Sequence, residues 1–182
     1  MGMSHFQAAI VDLDGTTIVG LWALLDRLEG EHPDHPLLPE SAMERSEALR
    51  LVDWAMTSLY DQVTRRIVFE KASQGQTGSL IRRPPEMETV RQGRAALSEV
   101  LPILGTTAET RGYLVGRELT LADLAVAAHL SAIDYYGEVP WNVFPAVAEW
   151  YMRIKSRPSF RSLLSDRVPG QPPVLHYAEL DF

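Results

Sequence analysis

The stretch Thr120-Leu-Ala-Asp123, with the helix that follows it, constrains the fold more than any other part of the chain. Thr and Asp at this spacing predict a capping box, in which the Asp123 carboxylate accepts from the Thr120 backbone N–H. Losing this cap should cost about 1 to 2 kcal/mol, so Asp123 is interpreted as structural. Small side chains then occur on several faces of the helix, at Ala122, Ala125, Ala127, Ala128 and Ala132. Such a helix can be packed on all sides, which predicts a helical bundle with this helix at its centre.

The pattern around this helix is also helical, from Ser41 to about residue 165. The first helix is long, and its apolar stripe comprises Val52, Ala55, Met56, Leu59, Val63 and Ile67. The second directs Met87, Val90, Leu97, Leu101 and Leu104 inward, and Pro102 should bend it or weaken its last turn. Two further helices follow the capped helix, and Pro158 separates them. Three segments result: residues 1–38, a helical domain at 39–167, and an extended tail at 168–182.

The first segment begins with two short strands, in "AAIVDLDGTTIVG", and a helix that begins near Gly20. Asp12 and Asp14 resemble the first motif of haloacid-dehalogenase-type phosphatases, which would make them nucleophile and acid/base. Such a site also needs further parallel strands with a Ser or Thr, a Lys and an acidic pair at their ends. The rest of the chain predicts helices in their place. We therefore interpret Asp14-Gly15 as a two-residue hairpin turn.

Composition excludes several function classes. The formal charge of −7 argues against nucleic-acid or anionic-membrane partners, because both need a basic surface. The chain has no cysteine, which excludes disulfides and thiolate chemistry. No apolar run approaches the roughly 20 residues that span a bilayer, and the first residues do not form a signal peptide. The sequence therefore predicts a cytoplasmic protein without membrane insertion.

The stretch from Tyr113 to Phe160 resembles the C-terminal helical domain of the glutathione transferase superfamily. In that family a Thr/Ser-x-x-Asp box begins the buried sixth helix, and a segment like "FPAVAEWYMRIKSRPSF" follows. The opening segment is similar to the third and fourth strands and third helix of the family's thioredoxin-like domain. The resemblance implies a mostly α fold, with a transferase-type helical bundle preceded by a partial thioredoxin-like ββα remnant.

The glutathione site of that family has no counterpart at the positions that match. The family's cis-proline corresponds to Ala8, and its acidic-Ser pair corresponds to Gly20 and Leu21. The unit that carries the catalytic Ser, Tyr or Cys precedes the matched segment. We therefore expect no catalytic, metal-binding or cofactor-binding residue. Two functions remain open: a non-catalytic scaffold, or a glutathione S-transferase whose N-terminal catalytic segment is missing from this chain.

Within the superfamily, the stretches "AAHLSAIDYYGEVPW" and "HYAELDF" resemble FzlA-type proteins of alphaproteobacteria, which bind the division protein FtsZ. This resemblance implies FtsZ or another division protein as partner and a place at the division site. A two-stranded remnant with an open edge also favours a homodimer.

Two groups of residues are candidates for binding. Cleft-lining aromatics, by the resemblance, are Trp54, Tyr60, Tyr135, Tyr136 and Trp141. Partner-binding residues in the tail are Tyr177, Glu179, Leu180, Asp181 and Phe182, because apolar anchors alternate there with negative charge. The tail should be dispensable for the helical core, although the alternative that it packs back on the helices stays open.

Overall fold

The computed structural model describes residues 9–11, 15–72 and 84–179, and for residues 9–11 only the backbone. An antiparallel hairpin begins the fold, with strands β1 (Ala9–Val11) and β2 (Thr17–Val19). Its register pairs Val11 with Thr17, which leaves an odd number of residues between them. A two-residue turn needs an even number, so the Asp14-Gly15 prediction is wrong in loop length. Gly15 does adopt a positive φ of 85°, whereas Asp12 and Asp14 lie outside the described residues.

Helix α1 (Leu21–Glu31) follows the hairpin and packs on the start of the helical domain. Leu24 and Leu25 are buried, and Leu25 joins a small apolar cluster with Leu38, Ala48, Val52, Val115 and Ala122. Several large apolar side chains of this unit remain exposed: Val19, Trp22 and Leu28. The ββα unit therefore contributes little to the main core.

The first long helix changes its hydrogen bonding along its length. It is α-helical as α2 (Ala42–Trp54) and continues without a break as a π-helical segment (Ala55–Phe69). The chain is still helical at Ala72, where this described range stops. The predicted stripe is buried except at Met56, which is 50% exposed. The prediction for Met56 is therefore wrong, because the buried apolar side chains of the π-helical segment recur every fourth residue from Ala55.

Helix α3 (Met87–Arg111) packs closely against that segment. A Cβ at Gly93 would lie 2.8 Å from Ile67 Cγ1, so the approach requires glycine here. Pro102 does not end the helix, which continues to Arg111. Met87, predicted to point inward, is 49% exposed, because it occupies the first turn.

Helix α4 (Leu121–Asp134) lies at the centre of the bundle and contacts α2, its π-helical continuation and α5 (Pro145–Lys155). A 3₁₀ turn (Trp141–Val143) precedes α5, and α6 (Pro158–Ser165) follows it. The last described residues form a second 3₁₀ turn (Leu175–Ala178). The expected order of a ββα unit and then a helical bundle is confirmed. Within the described ranges, no helix is long and apolar enough to cross a membrane.

The capping box of α4 is present, and its carboxylate does more than cap. Asp123 is fully buried, and its Oδ2 accepts from the Thr120 backbone N–H and hydroxyl, both at 2.9 Å. Its Oδ1 accepts from the Leu114 backbone N–H and from Trp150 Nε1, also at 2.9 Å. One side chain thus joins the start of α4 to the preceding loop and to α5.

Candidate functional site

The tail packs against the C-terminal end of α4 rather than extending from the bundle. The Tyr135 hydroxyl donates to the Gln171 carbonyl at 2.6 Å and accepts from the Val168 backbone N–H at 3.0 Å. The Val174 backbone N–H donates to the Tyr135 carbonyl at 3.1 Å. One tyrosine therefore holds three points of the tail.

The Gln171 side chain extends this attachment to the end of the π-helical segment. Its amide nitrogen donates to the Lys71 carbonyl at 2.9 Å, and its amide oxygen accepts from the Tyr136 hydroxyl at 3.0 Å. Further on, Tyr177 is 3% exposed and its hydroxyl lies 2.9 Å from Ser131 Oγ. The described part of the tail therefore packs back on the helices, which is the alternative that the sequence left open, since Tyr177 belongs to the main apolar cluster.

Beside these contacts lies an open pocket of about 680 Å³, which we call the tyrosine pocket. Its walls come from the π-helical segment, α4, α6 and the tail. The lining residues are Val68, Phe69, Ala72, Ala128, Ser131, Ala132, Tyr135, Tyr136, Leu163, Asp166, Arg167, Val168 and Tyr177. Most of this lining is aliphatic or aromatic, as is usual for pockets that bind apolar ligands.

The phenols of the tyrosine pocket are already engaged in hydrogen bonds. Tyr135 and Tyr136 bind the tail, and Tyr177 pairs with Ser131. Burial raises the pKa of the Tyr136 and Tyr177 hydroxyls, so both stay protonated near neutral pH. The arrangement suits the binding of an apolar group better than acid–base chemistry.

Of the five aromatic residues predicted to line a cleft, the tyrosine pocket contains Tyr135 and Tyr136. Trp54 is half-buried in α2, and Tyr60 lies edge-on to the ring of His129, whose Nδ1 is 2.9 Å from Thr64 Oγ1. Trp141 lies on another face, stacked on Tyr151 with ring centroids 4.7 Å apart.

Two of the five tail candidates lie within the described residues. Tyr177 forms a wall of the tyrosine pocket, and Glu179 is exposed at the end of the described tail. Leu180, Asp181 and Phe182 lie outside the described residues.

A buried polar cluster lies beside Tyr177, and sequence reasoning missed it. Asp134 and Lys155 are both fully buried, with Lys155 Nζ 3.7 Å from Asp134 Oδ2. Asp134 Oδ1 accepts from Trp141 Nε1 at 2.7 Å and lies 3.3 Å from His176 Nε2. The Lys155 ammonium also lies over the rings of Tyr151 and Tyr177, 5.7 and 5.8 Å from their centroids.

Burial acts on both charged groups of this pair. It raises the pKa of the Asp134 carboxyl, against the opposing effects of Trp141 and Lys155. It also lowers the pKa of the Lys155 ammonium, although the Asp134 charge opposes this. Two sequence signals could have located the pair. An acidic residue at the C-terminus of a helix is unfavourable unless it has a partner, and Lys155 continues the apolar face of α5.

The positions that match the family's glutathione contacts can also be placed. Gly20 precedes α1 and provides no side chain there, and Leu21 is the first residue of that helix. Among the residues that the structure describes, no three His, Asp or Glu side chains are grouped to hold a metal ion.

Comparisons with known proteins agree with this architecture. The family profile "Glutathione S-transferase, C-terminal domain" matches residues 68–158. FtsZ-localized protein A of Caulobacter vibrioides is 43% identical over 161 residues, which cover 88% of this chain and 69% of that protein.

Solved structures give the same result. FzlA from C. crescentus superposes with a TM-score of 0.87 and 39% identity, covering 96% of this chain and 76% of that chain. A glutathione S-transferase from Rhodospirillum rubrum F11 superposes with a TM-score of 0.86 and 40% identity, covering 96% and 77%. The chain therefore belongs to the glutathione S-transferase family, and its helical bundle is the C-terminal domain of that family.

Proposed function

We propose that this protein binds FtsZ filaments as a non-catalytic, transferase-fold regulator of cell division. The observation that carries the proposal is the 43% identity to FtsZ-localized protein A over 88% of the chain. The 39% identity to FzlA, with a TM-score of 0.87, supports it. The protein would act in the cytoplasm at the division site, as a homodimer.

The chemistry of the described residues favours binding over conjugation. The phenols of the tyrosine pocket are engaged with the tail and with Ser131. Gly20 and Leu21 have no polar side chain that could hold the γ-glutamyl group of glutathione. In this proposal Tyr177 anchors the tail, and Glu179, Leu180, Asp181 and Phe182 contact the partner.

Sedimentation with FtsZ filaments tests the proposal. The wild-type protein should pellet with filaments and stay in the supernatant when FtsZ is omitted. A variant lacking residues 180–182 tests the tail without disturbing the core, because it keeps the buried Tyr177. We expect this variant to melt like the wild type and to pellet less. Wild-type protein that stays in the supernatant at every filament concentration would contradict the proposal.

A second candidate function is glutathione transfer to an apolar electrophile. The tyrosine pocket, about 680 Å³ and largely apolar, favours it, as does the 40% identity to the R. rubrum transferase. Retention on immobilised glutathione, together with conjugation of chlorodinitrobenzene, would favour this function over the scaffold. We expect neither.

A further inference from the structure

Asp134 places two short turns side by side at the C-terminal end of α4. Its Oδ1 accepts from Trp141 Nε1 in the first 3₁₀ turn at 2.7 Å. The same oxygen lies 3.3 Å from His176 Nε2 in the second 3₁₀ turn. The two turns are far apart in the chain, and this one carboxylate fixes their relative position.

Each turn also presents one exposed aliphatic side chain. Leu175 is 96% exposed and Val143 is 61% exposed, while the neighbours Tyr177 and Trp141 are buried and hold the turns in place. The two turns meet at the same Asp134 oxygen, and apolar patches on a protein surface are typical of interaction sites. Because their backbones are already fixed, binding here would cost little conformational entropy.

A groove of about 580 Å³ lies between these turns and α5. Its lining comprises Val139, Trp141, Asn142, Pro145, Ala148, Glu149, Met152 and His176. Val143 and Leu175 are the direct chain neighbours of two lining residues, Asn142 and His176, on the turns that flank the groove. We call the groove with Val143 and Leu175 the two-turn surface.

Two exposed glutamates belong to the segments that form the two-turn surface. Glu149 lines the groove and is exposed, and Glu179 is exposed three residues beyond His176. The nearby Arg153 guanidinium lies over the Tyr113 ring, 5.4 Å from its centroid, and so is directed to another part of the surface. Charge complementarity therefore favours a basic side chain on the molecule that docks here.

We propose that the two-turn surface binds a short segment of a partner protein that carries an apolar side chain next to Lys or Arg. The apolar side chain enters the groove, and Val143 and Leu175 contact the segment from the two turns. The basic side chain faces Glu149 and Glu179. The inference rests on the proposed function, because it assigns FtsZ as the protein that supplies the segment. It places a partner contact outside the tyrosine pocket.

The test uses the full chain and FtsZ filaments in sedimentation. The double variant Val143→Asp/Leu175→Asp should bind FtsZ filaments with an affinity at least about tenfold lower than the wild type, as expected when apolar contacts at an interface are lost. The control Met43→Asp changes a side chain that is 83% exposed on α2, away from this surface, and should bind like the wild type. Glu149→Gln and Glu179→Gln should weaken binding and reduce its dependence on salt.

The outcomes separate the two proposals. If the wild type pellets and the double variant pellets with equal affinity, the two-turn surface is overturned while the proposed function stands. If the wild type itself does not pellet, the proposed function is overturned and this inference fails with it. Should the double variant fail to fold, Leu175→Asp alone decides, because that side chain is 96% exposed and makes no contribution to the core.

Discussion

The two ends of helix α4 each bury an aspartate completely, and the two are stabilised in opposite ways. At the N-terminus, Asp123 accepts four hydrogen bonds from neutral donors. The helix dipole there favours a negative charge. At the C-terminus, where the dipole opposes a negative charge, Asp134 has Lys155 as a neighbour, accepts from the Trp141 ring N–H and lies beside a His176 ring nitrogen.

This difference indicates that Asp123 stabilises the fold without a charged partner, whereas the contribution of Asp134 depends on Lys155. Asp123 loses its hydrogen bonds to water on burial, but it accepts hydrogen bonds from backbone N–H groups, a hydroxyl and the Trp150 ring instead. These hydrogen bonds compensate the cost of burying the carboxylate. Asp134 and Lys155 both lose hydration to form one contact at 3.7 Å. Buried pairs of this kind often contribute little net stability, although breaking them is costly. The three predictions below test this contrast, in order of decreasing effect.

Replacing Asp123 with alanine should have the largest effect, a loss of about 4 kcal/mol in the free energy of unfolding. The cap is lost, and the donors of Leu114 and Trp150 are left without their acceptor. Urea denaturation measures the loss, with Glu118→Ala, an exposed change nearby, as control. A loss of only 1 to 2 kcal/mol would mean that Asp123 acts as a cap alone.

Replacing Asp134 with leucine should cost less, about 3 kcal/mol, by stranding the buried Lys155 ammonium. The lowered pKa of Lys155 limits the cost, because the amine can lose its proton. Adding Lys155→Met should recover most of the stability, since the double variant buries no charge at this pair. Urea denaturation of the wild type, both single variants and the double variant gives the four unfolding free energies of a double-mutant cycle. Additive losses in the double variant would contradict our description of the pair.

The pH dependence should show the smallest effect. The folded-state pKa of Asp134 is raised above its ordinary value of 3.8. Its contribution is therefore fully present below about pH 4 and is lost as the pH rises through the folded-state value. Unfolding free energies of the wild type and Asp134→Asn, measured from pH 4 to neutral, should show the wild type losing stability relative to the variant. Parallel profiles would rule out a raised pKa.

Much of the fold could be predicted because its signals are local. The spacing of Thr120 and Asp123 located the start of α4, and apolar periodicity identified the buried side of the first long helix. The errors occurred where a local pattern was insufficient. Met56 points to solvent because the helix changes its hydrogen bonding there, and the hairpin loop has an odd number of residues.

The candidate site was less predictable, since its members come from distant parts of the chain. Tyr135 and Tyr136 were identified as aromatic candidates, but their hydrogen bonds to Gln171 are not visible in the sequence. Tyr177 was expected to be available to a partner, whereas its ring packs against Tyr135 with centroids 5.1 Å apart.

By itself, the sequence determined the central helix and its cap, because capping and helical periodicity depend on residues a few positions apart. The family of the bundle was indicated by the resemblance of its sequence to glutathione transferases. Only the tertiary structure decided that the Tyr135 hydroxyl binds the tail and that Asp134 meets Lys155 and His176. These contacts join residues whose spacing follows no helical or strand period. They form only when α4, α5 and the tail pack together, and burial then fixes which polar groups must meet.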